Sequence, residues 1–167
     1  KWRQALGGNV RIVGCGGASL QSRLERVFWA AGIKVVNMYG LTETSPIITI
    51  NRTEKGRVKL GSVGLPIEGV EVKIADDGEI LCKGPNVMLG YYNEPEMTAE
   101  VLSPDGWFRT GDLGIFDDKG NLYIKGRLKN MIVGSSGENI YPEEIESVIN
   151  DFGHVIESLV LEKKGKL

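Results

Sequence analysis

The run Tyr39-Gly40-Leu41-Thr42-Glu43-Thr44-Ser45-Pro46 puts an aromatic face, a flexible glycine, hydroxyls and one carboxylate side by side. Such a set can stack a base, bind a phosphate and hold a magnesium ion through an oxygen ligand. The plain alternative is a polar loop around a structural tyrosine. Upstream, Gly14-Cys15-Gly16-Gly17 invites a dinucleotide reading. The third glycine of a GxGxxG turn would fall on Ser19, however, and no acidic residue closes the next strand. A glycine turn that lets another group approach the backbone is the better reading, beside a simple strand-to-helix turn. Further on, Asp105-Gly106-Trp107-Phe108-Arg109-Thr110-Gly111-Asp112 places Asp112 in a glycine-bracketed turn between two strands. There it is either an Asx-turn residue or a carboxylate that accepts two sugar hydroxyls. Gly126-Arg127-Leu128-Lys129-Asn130 adds an arginine and a lysine past another strand, which in most loops are solvated surface. His154 is the sole histidine, and without a GxSxG serine hydrolase chemistry has no footing.

These groups need elements to hold them. A β-branched strand over 10–13 ends at the glycine turn. A helix follows from Ser19, with Leu20, Leu24, Val27 and Phe28 on one stripe and Arg23, Glu25 and Arg26 outside it. Gly32 is its natural C-cap. Ile33, Val35, Val36 and Met38 form a second strand and complete a βαβ unit with parallel strands. Tyr39 then sits just past the carboxyl end of a parallel strand, where open α/β sheets bind their ligands. Two strands are too few for a sheet, so further ones are expected from before Lys1. Residues 51–60 read as a loop.

After Gly61 the rhythm becomes short strands at 70–74, 79–83, 107–109, 114–116 and 122–124. Asp76-Asp77-Gly78 and Asp117-Asp118-Lys119-Gly120 supply hairpin turns, which suggests a small antiparallel barrel or sandwich. One helix over 93–101 carries Asn93 and Glu96 in capping-box positions. A strand over 131–133, a Ser/Gly loop, a helix opened by Pro142-Glu143-Glu144 and a strand over 155–161 end the chain. The expected class is α/β plus β. It comprises a βαβ layer over 1–56, a β-barrel subdomain over 57–128 and the start of an α+β C-terminal unit over 129–167.

The 167 residues hold 20 Lys plus Arg against 22 Asp plus Glu, a formal net charge of −2 that argues against a nucleic-acid binder. No apolar run approaches the roughly 18 residues of a membrane span, and no signal peptide opens the chain. Cys15 and Cys82 are too few for a disulfide scaffold or a thiolate zinc site, and read as reduced core thiols of a cytoplasmic protein. The first residue is Lys1 rather than Met, as in an excised or processed piece.

Taken in order, six motifs resemble the adenylate-forming superfamily. They are Gly16-Gly17-Ala18, Tyr39-Gly40-Leu41-Thr42-Glu43, Gly90-Tyr91-Tyr92, Gly106-Trp107-Phe108-Arg109-Thr110-Gly111-Asp112, Gly126-Arg127-Leu128-Lys129-Asn130 and Asn139-Ile140-Tyr141-Pro142-Glu143-Glu144-Ile145-Glu146. Within the superfamily, the run over 136–146 is most similar to AMP-forming acyl-CoA synthetases of the long-chain fatty-acid–CoA ligase kind. The similarity spans nearly the whole chain. It implies activation of a small carboxylic acid by ATP and Mg2+ to acyl-AMP and pyrophosphate, then acyl transfer to the thiol of coenzyme A.

The resemblance also implies roles. Gly16, Gly17 and Ala18 would border the adenine and acyl pocket, Asn37 would lie at the adenine edge, and Tyr39, beside Gly40, would stack on the ring. Thr42 would contact phosphate and Glu43 would hold magnesium, which makes these two the catalytic pair. Asp112 and Arg127 would bind the ribose hydroxyls, Lys129 would be a hinge between a large and a small domain, and Ser136 and Gly137 would line the pantetheine path. The family's phosphate loop with its lysine, and its late lysine, are not in this sequence, so the chain alone is expected to be inactive. Asn139 stands where the family commonly carries arginine. Peripheral membrane contact and homo-oligomerisation are compatible with the resemblance. Two other readings stay open: an adenylation domain that loads a carrier-protein thiol, and a non-catalytic nucleotide-binding module.

Overall fold

The computed structural model describes residues 2–18, 20–54, 58–134 and 136–162. Helix α1 (Trp2–Ala5) leads into strand β1 (Ile12–Cys15), helix α2 (Ser22–Ala30) and strand β2 (Lys34–Tyr39). β1 and β2 pair in parallel, with Ile12 opposite Lys34 and Cys15 opposite Asn37. The βαβ unit thus forms as the apolar pattern requires, and Gly32, at φ 75°, turns the chain out of the helix. β1 starts later than the β-branched run because its pairing begins only opposite Lys34. Ser19, the expected helix start, lies outside the described residues.

Helix α2 is rolled away from its apolar stripe. Leu24 and Val27 are exposed, whereas Glu25 is fully buried. A polar contact decides this: the Gly61 N–H donates to Glu25 Oε2 at 2.9 Å. Burial pushes the Glu25 pKa up, opposed by the Gly61 and Asn37 hydrogen bonds and by Arg26.

Two further strands of this sheet come from after β2. β3 (Thr49–Ile50) pairs antiparallel with the end of β2, Tyr39 opposite Thr49, and β4 (Leu65–Pro66) pairs with β3. The order is β1-β2-β3-β4. The described part of 51–60 holds neither helix nor strand, and 55–57 lie outside the described residues.

The second sheet is an antiparallel meander of β5 (Glu71–Ile74), β6 (Glu79–Lys83), β7 (Phe108–Phe116) and β8 (Leu122–Arg127), with α3 (Pro95–Val101) between β6 and β7. Gly78 and Gly120, both at positive φ, turn its two predicted hairpins. Among the described residues β5 and β8 do not pair, so the sheet is a half-barrel and not a closed barrel or sandwich. One bridge, Gly64 to Leu122, ties it to the first sheet. The expected strands over 107–109 and 114–116 are one strand. Bulges at Leu113/Gly114 and Glu79/Leu81, with Gly111 at φ 73°, let β7 bend without ending. Asp112 therefore lies within a strand and not in a turn.

The Asn93–Glu96 capping box does not form. Asn93 is left-handed at φ 56°, Glu94 takes the cap position, and Pro95 opens α3. β9 (Ile132–Val133) pairs antiparallel with β10 (Asn139–Ile140), and α4 (Pro142–Asn150) follows with Pro142 in its first turn. Residues 155–161 form no strand. β10 takes the place beside β9 because closing the shorter loop costs less chain entropy. Ile48, Val70, Cys82 and Phe108 form a buried cluster between the two sheets, with Tyr39 and Leu41 packed against it. Burial pushes the Cys82 thiol up to about 12, while Cys15 is only half-buried.

Candidate functional site

The two sheets meet at Tyr39. This residue ends β2, and its hydroxyl donates to Asp112 Oδ2 of β7 at 2.7 Å. Asp112 is directly opposite Arg127 in the β7–β8 ladder, and Arg127 Nε stands 3.0 Å from Oδ1. Three residues from three separate motifs thus form one cluster. Asp112 is 7% exposed, whereas the Arg127 side chain is 56% exposed. The terminal nitrogens of Arg127 make no hydrogen bond among the described residues.

The strand holds Asp112 from behind. Its N–H donates to Thr110 Oγ1 at 3.1 Å, and that hydroxyl donates to Ile80 O at 2.8 Å. The Gly111 N–H donates to Oε1 of the buried Glu79 at 2.7 Å. Glu79 is ion-paired with Arg109, which also reaches Asp77 at 3.0 Å. Burial pushes the Asp112 pKa up, the Tyr39 hydrogen bond and Arg127 pull it down, and Glu143 raises it again. Burial and the Asp112 charge push the Tyr39 phenol upward, so it stays a hydrogen-bond donor.

Past Tyr39 the chain doubles back. A Cβ on Gly40 would collide with the Pro46 carbonyl, so only glycine fits there. A 3-10 turn, Thr42–Thr44, follows, and the buried Thr44 hydroxyl lies 3.0 Å from the Leu41 N–H and from the Leu41 and Pro46 carbonyls. Thr42 is exposed. Glu43 is half-buried, with Oε1 accepting from the Tyr91 hydroxyl at 3.1 Å and Oε2 accepting nothing among the described residues. Magnesium is held in many phosphate sites by one or two carboxylates plus phosphate oxygens and water. Glu43, with one free oxygen, fits that pattern. No group of three or more His, Cys, Asp or Glu among the described residues could cage a metal.

The exposed Gly16, Gly17 and Ala18 follow the carboxyl end of β1, beside the end of β2. A Cβ on Gly16 would stand 3.5 Å from Met38 O, and Gly17 is at φ 82°. Asn37 is buried, its Nδ2 3.5 Å from Ser62 O, and its Oδ1 has no partner among the described residues. It therefore lies between the sheet and α2, beside Glu25. Lys129 is exposed in a 3-10 turn, Leu128–Asn130, directly after β8. Ser136 and Gly137 occupy the β9–β10 hairpin. Their hydrogen bonds stay within it: the Ser136 hydroxyl to Glu138 and the Gly137 N–H to Gly134 O at 2.9 Å.

Residues 1–92 match the family model described as AMP-binding enzyme. The chain belongs to the AMP-binding enzyme family. It is 40% identical over 161 residues to the long-chain-fatty-acid–CoA ligase FadD15 of Mycobacterium bovis, covering 96% of this chain and 26% of that protein. It is 39% identical to the indoleacetate–CoA ligase of Aromatoleum aromaticum, covering 96% of this chain and 33% of the relative. Among solved structures it is similar to the O-succinylbenzoate coenzyme A synthetase of Bacillus subtilis in complex with ATP and magnesium. The TM-score is 0.83 at 39% identity, over 94% of this chain and 35% of that one. The chain therefore spans about a quarter to a third of the length of these relatives.

In this member of the AMP-binding enzyme family, two residues that touch candidate site residues escape a reading of the sequence. Tyr91 reaches Glu43 from 48 residues away, so no local spacing links them, although Tyr91 sits in a quoted motif. Glu143 looks like an ordinary helix-dipole residue, yet its Oε1 accepts from Asn130 Nδ2 at 2.7 Å. A Cβ on Gly126 would collide with its carboxylate. Lys125 and Glu144, 2.5 Å apart, make a second tie between β8 and α4.

Proposed function

We propose that this chain carries the nucleotide-handling part of an ATP-dependent acid–CoA ligase whose acid is a fatty acid. In that reaction a carboxylate oxygen bonds to the α-phosphorus of ATP and pyrophosphate leaves. The thiol of coenzyme A then bonds to the acyl carbon and AMP leaves. The observation that carries the reading is the convergence of Tyr39, Asp112 and Arg127 at the seam of the two sheets. A carboxylate that accepts and a guanidinium with free donors together satisfy a ribose 2′,3′-diol. Tyr39 supplies the ring beneath the base. Gly16, Gly17 and Ala18 offer an open backbone edge beside it, with Asn37 at the adenine side and Gly40 closing the turn.

Thr42 donates to phosphate, and Glu43 would hold magnesium, which when bound neutralises phosphate charge. Lys129 is the hinge between 57–128 and 129–167, and Ser136 and Gly137 lie on the coenzyme A path. The fatty-acid assignment draws on the run over 136–146 and on the similarity to the mycobacterial ligase. The test substitutes this chain for the matching stretch of a long-chain fatty-acid–CoA ligase and supplies ATP, Mg2+, coenzyme A and either palmitate, indoleacetate or succinylbenzoate. The expected products are palmitoyl-CoA, AMP and pyrophosphate. Release of ADP, or turnover of the aryl acids alone, would overturn the reading.

A further inference from the structure

The carboxylate proposed for magnesium is not left to its own rotamers. The Tyr91 hydroxyl donates to Glu43 Oε1 at 3.1 Å, and the Met88 N–H donates to the Glu43 backbone carbonyl at 2.8 Å. Side chain and main chain of Glu43 are both gripped by the 88–91 segment, which lies outside the loop that bears Glu43. That segment is itself anchored. The Tyr91 N–H donates to Thr98 Oγ1 at 2.9 Å, and the Thr98 hydroxyl donates to Glu94 O at 2.8 Å at the start of α3. Gly90 is pressed against Thr98, where a Cβ would come within 2.8 Å of Cγ2. A path of direct contacts therefore runs from α3 through Tyr91 to one oxygen of Glu43.

We infer that Tyr91 is a positioning residue for Glu43: its phenol engages Oε1, fixes the carboxylate plane and presents Oε2 to a divalent cation. This rests on the magnesium role given to Glu43 above. Carboxylates that bind metals are commonly oriented by such outer hydrogen bonds, and their loss weakens metal binding about tenfold or more. The bond does not belong to the hydrophobic core, and Tyr91→Phe keeps the ring.

The experiment measures Mn2+ binding in the presence of ATP by the electron paramagnetic resonance signal of free Mn2+. It uses the wild-type chain, Tyr91→Phe, Glu43→Gln and the double variant, with AMP binding in EDTA followed by calorimetry. Tyr91→Phe should weaken Mn2+·ATP binding about tenfold and leave AMP binding unchanged, and it should add nothing once Glu43 is Gln. Equal weakening of AMP and Mn2+·ATP, an additive loss in the double variant, or no effect of Tyr91→Phe would each overturn the positioning role. Failure of the wild-type chain to bind either nucleotide would overturn this role and the proposed function together.

Discussion

Asp112 divides its two oxygens between a half-buried phenol and an exposed guanidinium, so one side of the carboxylate is built into the protein and the other is held by a cation at the surface. Residue types at 39, 112 and 127 were legible because each lies in a short glycine-containing run. Their contact was not, since 73 residues separate the first pair. Glu25 shows the opposite case. An apolar stripe put it on the solvent side of α2, but helical periodicity cannot register the Gly61 N–H that draws it inside. Its folded pKa is raised above the usual value of 4.5, so the native state holds the proton to higher pH than the unfolded chain does. This favours the fold at low pH, and the contribution is lost as pH rises through the folded pKa. Glu25→Gln removes that loss. It keeps an oxygen that can accept from the Gly61 N–H. In urea unfolding, the variant's advantage over wild type should grow as pH rises from below 4.5 through the folded pKa of Glu25. A variant that loses ground as pH rises would contradict this.

Elements were legible where pattern and turn agreed, as in the βαβ unit and the two glycine-turned hairpins of the half-barrel. They were misread where a long-range contact overrode local preference. Glycines at 111 and 114 looked like strand breaks, but cross-strand pairing with β8 carries β7 through them. The apolar run over 155–161 looked like a strand, yet β9 is already paired with β10. The sharp return after β2 depends on Gly40, whose missing Cβ admits the Pro46 carbonyl. Gly40→Ala should therefore destabilise the fold by about 3 kcal/mol, the upper range for overpacking, and displace the Thr42–Glu43 turn. Gly153→Ala, with nothing within 4 Å of its added Cβ, should stay within about 0.5 kcal/mol of wild type. Equal stability of the two variants by chemical denaturation would show that the return at Gly40 is not under steric control.

Over the whole molecule, one end is apolar and open. Trp2, Ile12, Leu24 and Val27 are exposed, and β1 is the edge of its sheet. Such an edge beside apolar side chains favours association. Sedimentation should show the mass rising above 18.3 kDa with concentration, and a monomer at every concentration would contradict it. The seam where the two sheets meet is where distant motifs combine into a candidate nucleotide site. No single run of the sequence contains that site, which is why motif order pointed to it before any one motif did. Its sugar contact is open to direct measurement by comparing ATP with 2′,3′-dideoxy-ATP on wild type and Asp112→Ala. Wild type should prefer ATP. Asp112→Ala should weaken ATP binding by about 1.5–3 kcal/mol, the scale of a lost charged hydrogen bond, and leave dideoxy-ATP binding unchanged. An equal loss of affinity for both nucleotides would contradict a ribose role for Asp112.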